Sequence, residues 1–214
     1  MSEILAQFPL KIVVFPGEVL NLHIFEPRYK QLILECENSK MTFGIVPFLN
    51  DEVQKFGTEM QLIEIKKKYD NGEMDIRTKA VGTYEIIDFI YQLENRLYPA
   101  AEIKRKLHDH DGVPEYNTLI INKIAELYNI LNIKKEVPKD ITSFSIYQIA
   151  HLIGLSLEQE YNLLSLATEK KRQEYVLSHM NKMNPMVKEM ENLRAKVILN
   201  GHFKHLLPPD LRGK

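Results

Sequence analysis

Apolar positions along this chain change period once, near residue 107. Before it they alternate or run in short β-rich blocks; after it they recur at three- and four-residue spacing. Ile12-Val13-Val14-Phe15 is a β-branched and aromatic run that reads as a nearly buried strand. Pro16-Gly17 stops it, because proline presets φ at the second position of a turn and glycine supplies the positive φ of the third, as a type II turn requires. Val19 to Ile24 reads as the returning strand. Pro27, with Glu26 before it, starts a helix whose apolar stripe is Tyr29, Leu32, Ile33 and Cys36. Met41 to Phe48 reads as a strand closing near Pro47, a residue tolerated at strand edges. Thr58 to Tyr69 reads as a long strand whose change of phase between Leu62 and Ile63 predicts a bulge. Asp70-Asn71-Gly72-Glu73 predicts a hairpin with a type I′ turn, positive φ at both centres. Met74, Ile76, Thr78 and Ala80 alternate on the outgoing strand, Ile87, Phe89 and Tyr91 on the next, and Ala101 and Ile103 on a last one. Short strands separated by turn signals imply a small barrel or sandwich.

His108-Asp109-His110-Asp111-Gly112 is a polar linker, and everything after it reads as helical. Ile120, Ile124, Leu127 and Leu131 share a helix face, and Lys134 to Thr142, with Pro138, reads as a loop. A short helix is predicted after Thr142-Ser143, stopping at Gly154, and Ser156 with Gln159 forms a capping box for the next. The last helix is predicted from about Glu169 to Asn200, before Gly201. Val176, Met180, Met183, Val187, Met190 and Val197 trace a near-heptad stripe interrupted by Arg194. Pro185 lies inside it and predicts a kink or a split. Pro208-Pro209 closes the ordered chain. The expected organisation is therefore α+β, in two domains: strand-rich residues 1–107 and helical residues 108–214.

The segment Pro9-Leu10, Phe15-Pro16-Gly17 and Leu22-His23-Ile24-Phe25-Glu26-Pro27-Arg28-Tyr29 resembles the N-terminal substrate-binding domain of Lon proteases. Phe56-Gly57-Thr58, Asn71-Gly72 and Val81-Gly82-Thr83-Tyr84 look like that family's later strand, hairpin and glycine-centred junction. Where the family usually carries Arg-Phe after the glycine, this chain has Thr83-Tyr84-Glu85. The resemblance is tightest over residues 8–36, looser to about Ile103, and architectural beyond. It implies a PUA-like β pseudo-barrel followed by a C-terminal helical bundle with a long terminal helix.

Composition limits the chemistry. The chain has 214 residues, enough for a proper core, and a formal net charge of −1, with no global drive toward nucleic acid or an anionic membrane. Its one cysteine, Cys36, forms no internal disulfide, falls on the predicted apolar stripe, and reads as a small core residue. No secretory signal or membrane-length apolar run is present, so a cytoplasmic protein is expected. No glycine-rich loop leading to Lys and Ser or Thr exists, so an ATPase is not supported. Pro138-Lys139-Asp140 lacks the Gly-Pro-Ser that a related protease motif would carry, so a peptidase is not supported either. The pairs His108/His110 and His202/His205 lack a third and fourth ligand at useful spacing, so no metal and no cofactor is expected.

The expected function is non-enzymatic: a stand-alone module that binds polypeptide through apolar surface, as the resemblance implies for unfolded substrates in quality control. Two surfaces are candidates. One is the methionine-rich helix, with Met180, Met183, Met186 and Met190, because a flexible thioether adapts to several partners. The other is aromatic, Phe48 and Phe56 flanking the polar loop Asn50-Asp51-Glu52. The alternatives are a regulatory protein docking on Lon or another assembly through its C-terminal helix, and an RNA-binding PUA-like module. The latter would use the basic runs Lys66-Lys67-Lys68, Lys104-Arg105-Lys106 and Lys170-Lys171-Arg172.

Overall fold

A computed structural model describes residues 3–107, 111–136 and 144–203. The sequence features at His108/His110, Pro138, Thr142-Ser143, His205 and Pro208-Pro209 lie outside the described residues, as do the side chains at 200–203. The chain divides into two compact units, residues 1–111 with 145–172, and residues 112–144 with 173–214. Residues 145–172 thus pack with the strands, although composition alone groups them with the helices.

The first unit is built on β1 (Glu3–Leu10), β2 (Val19–Ile24), β3 (Phe43–Leu49), β4 (Glu52–Val53), β5 (Phe56–Lys68), β6 (Met74–Ile90) and β7 (Ala100–Lys106). The ladder runs β1-β7-β6-β5-β3, and β1 also pairs with β3, so five strands close on themselves as a barrel. β1 is parallel to β3, with Phe8 opposite Ile45, and antiparallel to β7, with Glu3 opposite Ile103 and Ala6 opposite Ala100. β2 pairs with β6 and β4 with β3, both outside the closed ring. Helix α1 (Pro27–Ser39) begins at Pro27 and buries Tyr29, Leu32, Ile33 and Cys36. That stripe meets Phe8, Phe43, Ile45, Met60 and Ile76 in the main core.

Several local expectations need correction. Ile12–Phe15 is not a strand: it begins at a bend, and Val13, Val14 and Phe15 are buried, but no ladder partner lies beside it. A β-branched run reports burial rather than pairing. The Pro16-Gly17 turn forms as expected, with the Glu18 N–H donating to the Phe15 carbonyl at 3.2 Å and Gly17 at φ +91°. At Asn71-Gly72 only Gly72 has positive φ, and the Tyr69 N–H donates to the Glu73 carbonyl, so this is a type I turn closed by a glycine bulge. The type I′ hairpin lies instead between β3 and β4, where Asn50 (φ 52°) and Asp51 (φ 62°) are the loop pair. The expected bulge in β5 is present between Leu62 and Glu64. β6 is one 17-residue strand rather than two, with a bulge against β7 at Ile86/Asp88, where Ile87 is exposed; Tyr91, also exposed, lies past the strand's end.

Tyr84 fills the barrel interior. Its hydroxyl donates to Gln7 Oε1 at 2.6 Å, and Gly44 and Gly57 leave the space it occupies, since a Cβ at either would meet the tyrosine ring. The segment before α3 (Leu157–Ser165) forms two 3-10 turns, Ile146–Gln148 and Ala150–Leu152, rather than the predicted helix, and Gly154 ends it at φ +71°. Ser156 and Gln159 make the reciprocal capping box at α3.

The second unit contains α2 (Pro114–Ile130) and most of α4 (Glu169–Phe203). α2 buries Ile120, Ile124 and Leu127, as its periodicity predicts, whereas Leu131 falls past its end. Gln173 joins α4 to α2, donating to Asn117 Oδ1 at 2.6 Å and accepting from the Val113 N–H at 2.9 Å. α4 continues through Pro185 without splitting. Just before the proline, Asn184 donates to the Lys123 carbonyl at 2.9 Å and to Glu126 Oε2 at 3.0 Å.

Candidate functional site

Two apolar surfaces, one in each unit, meet the physical requirements of a binding site. In the first unit, the apolar run Ile12–Val14 and the start of β2 (Val19, Leu20) line a groove of about 570 Å³ together with Leu157 of α3. The Phe15–Glu18 turn exists because Gly17 permits it, and it delivers Glu18 to the groove's rim. The second of the 3-10 turns delivers His151, and α3 delivers Glu160.

These three groups form one electrostatic unit. His151 Nδ1 lies 2.6 Å from Glu160 Oε1, and Nε2 lies 3.0 Å from Glu18 Oε1. With an acceptor at each ring nitrogen, only the imidazolium satisfies both contacts as a donor. The Glu18 hydrogen bond, opposed by burial and helped by Glu160, raises the His151 pKa to about 9. Glu18 also accepts from the Phe15 N–H at 3.0 Å, so the same carboxylate ties the turn to the rim. A neighbouring depression of about 360 Å³ shares Leu157 and is lined by Lys11, Phe48, Leu49, Asn50, Asp51 and Glu158.

Of the aromatic candidates, Phe48 lines that depression, half-buried. Phe56 is half-buried beneath two lysines: Lys106 Nζ lies 4.3 Å and Lys55 Nζ 6.0 Å from its ring centre. It is therefore partly covered, and it does not line the depression that Phe48 lines. Tyr161 of α3 adds to the covering, accepting from the Lys55 N–H at 3.1 Å.

The methionine stripe divides along α4. Met180 is fully buried with Val176 and belongs to the packing of the second unit, where no polypeptide can reach it. Periodicity assigns a residue to a face without saying what covers that face. Met183 is half-buried, whereas Met186 and Met190 are exposed, and Leu193 and Val197 extend the exposed row. Their spacing of four, three and four residues keeps them on one side of the helix.

The groove was missed in the sequence because its residues come from separate segments. Only the Ile12–Val14 run carried a signal, and that signal reads as an ordinary strand. The basic runs are largely engaged within the chain. Arg105 pairs with Glu3 and with Glu59 (2.7 Å), Lys68 with Glu37 (2.8 Å), and Lys106 donates to the Ser165 carbonyl at 2.9 Å. Arg172 is buried against Glu169 (2.7 Å) and donates to Tyr147 Oη at 3.2 Å. Cys36 is buried, and burial raises its thiol pKa to about 12, so it is no nucleophile at neutral pH. Among the described residues no group of three or more His, Cys, Asp or Glu is placed to hold a metal ion. No described helix is long and apolar enough to cross a membrane.

Comparison with known proteins decides the family. The model of the ATP-dependent protease La (LON) substrate-binding domain matches residues 4–182. The chain belongs to the LON substrate-binding domain family. No ATPase or protease domain is detected in it. Lon protease 2 of Syntrophobacter fumaroxidans is 21% identical across 92% of the chain, which spans only 27% of that relative's length. The Lon N-terminal domain protein of Xanthomonas campestris shares the fold, with a TM-score of 0.64 and 22% identity over 82% of this chain and 98% of that one. The N-terminal domain of the Mycobacterium avium complex Lon protease does so with a TM-score of 0.61 and 12% identity, covering 85% of this chain and all of the other (100%). The groove falls inside the LON-matched residues, and the exposed row Met186–Val197 falls beyond them.

Proposed function

We propose that this chain is a non-catalytic module that binds polypeptide, engaging apolar stretches of partly unfolded proteins in quality control. The observation that carries this reading is the apolar groove between Ile12–Val14 and Leu157, inside the residues matched by a substrate-binding family. Its aliphatic floor offers contact by burial and its fixed rim offers orientation, without any nucleophile. The same reading puts the protein in the cytoplasm, where the Cys36 thiol stays reduced. The test is fluorescence anisotropy with labelled reduced, carboxymethylated lysozyme against native lysozyme. Saturable binding of the unfolded form alone is expected; equal binding of both, or of neither, refutes the reading.

The exposed row Met186, Met190, Leu193 and Val197 supports a second reading, in which α4 docks the protein onto Lon or another assembly. Met190→Glu should then abolish co-purification of that partner from native lysate while binding of carboxymethylated lysozyme persists. Retained partner capture would rule the docking role out.

A further inference from the structure

β2 is hydrogen-bonded to β6 along one edge only, with Val19 opposite Lys79 and Ile24 opposite Met74, and no other described strand pairs with it. An unpaired edge presents alternate N–H and C=O groups outward. The 570 Å³ groove opens beside the beginning of this strand, at Val19 and Leu20. We infer that the groove takes an extended polypeptide segment as an added strand on β2, with an aliphatic side chain of that segment seated on Ile12, Val14 and Leu157; this rests on the polypeptide-binding reading above.

Two independent features select this occupant. The strand edge needs a partner with a regular series of backbone donors and acceptors, which an extended chain supplies and a helix or an acyl chain does not. The groove needs an apolar side chain, which alternation along an added strand presents at every second residue. Charge refines the choice. The groove and the adjoining depression are lined by Glu18, Glu160, Asp51 and Glu158, against Lys11 and the His151 imidazolium. Carboxylates outnumber cations, so a segment with basic flanks fits better than one with acidic flanks.

The probe is a fluorescein-labelled nonapeptide, Lys-Thr-Val-Thr-Val-Thr-Val-Thr-Lys, titrated with the full chain by anisotropy. Backbone N-methylation of alternate residues removes the donors facing one side only. One of the two alternate sets should weaken binding by about tenfold or more while the other leaves it within about twofold. Replacing the terminal lysines with glutamates should weaken binding severalfold. Leu157→Asp should abolish it with folding retained, because an acidic residue suits the first turn of α3. Met190→Glu should change nothing. Equal effects of the two N-methyl sets, or binding untouched by Leu157→Asp, would overturn the added-strand proposal. Failure of the peptide to bind while carboxymethylated lysozyme still binds would overturn it too, leaving the broader reading intact. Failure of both ligands would sink the two together.

Discussion

At the scale of single residues, the barrel's centre is the most constrained place in the molecule. Tyr84 is fully buried, and its hydroxyl is satisfied by Gln7, itself fully buried. Gly44→Ala or Gly57→Ala should each destabilise by about 1–3 kcal/mol or more, read as a lower urea midpoint, because the new methyl would overlap the Tyr84 hydroxyl and crowd Gln7 Nε2 or the Ile45 carbonyl respectively. Tyr84→Phe should cost about 1–3 kcal/mol by leaving Gln7 Oε1 unpaired. The double variant Gly44→Ala/Tyr84→Phe should cost less than the two singles added, since removing the hydroxyl relieves part of the clash. His151 makes a different prediction. Its folded-state pKa is raised to about 9 from an ordinary 6.5. The contribution of its ion pairs is therefore complete below about pH 6.5 and is lost as pH rises through about 9. Thermal melts of the wild type should fall across that window, and His151→Asn should flatten the fall. Neither constellation was legible beforehand: Gln7, Gly44, Gly57 and Tyr84 meet only through strand pairing across the barrel. Nor does local spacing connect Glu18, His151 and Glu160.

At the scale of elements, legibility followed how local the determining physics is. The α1 stripe Tyr29, Leu32, Ile33 and Cys36 is buried as read, and so is the Ser156–Gln159 cap, because both depend on neighbours within one or two turns. The run Ile12–Phe15 failed as a strand because pairing depends on a partner supplied from elsewhere. The type I′ turn falls at Asn50-Asp51 and not at Asn71-Gly72 because the former joins strands in register with a two-residue loop, whereas the Tyr69–Glu73 connection has room for a bulge. α4 shows the limit of the helical period, which placed Met180 and Met190 alike although one is buried and the other bare. Pro185 was expected to kink or split this helix; it does not split it, but its missing N–H still costs one bond. Pro185→Ala should stabilise α4 by up to about 3 kcal/mol, seen as slower amide exchange on both sides of the substitution. At the other end of α4, Arg172→Ala should destabilise by about 3–5 kcal/mol, because it strands the buried Glu169 carboxylate.

At the scale of the whole molecule, the family was legible from the first forty residues and the α+β class from the change of period along the whole chain, and the way the chain partitions was not. Composition marks where strands give way to helices. Compactness instead depends on what packs on what, and the 3-10 turns, α3 and the start of α4 pack with the barrel. Glu169 accepts from the Ile146 N–H at 2.7 Å, fastening that segment to the beginning of the long helix. A variant lacking residues 3–10 removes one of the five barrel strands and should show no cooperative thermal transition by circular dichroism; a sharp transition would contradict the closed topology.

That topology has a consequence for synthesis. β1 leaves the ribosome well before a strand it needs on one side, β7, which follows close to one hundred residues later, with Glu3 facing Ile103. At ordinary bacterial-to-eukaryotic elongation speeds of about 5–20 residues per second, the nascent barrel stays open for roughly 5–20 seconds. Throughout that interval the apolar residues Leu5, Ala6 and Phe8 of β1 have no complete shelter. The protein that we read as a receptor for unfolded chains thus displays, during its own birth, the kind of extended apolar segment it would bind.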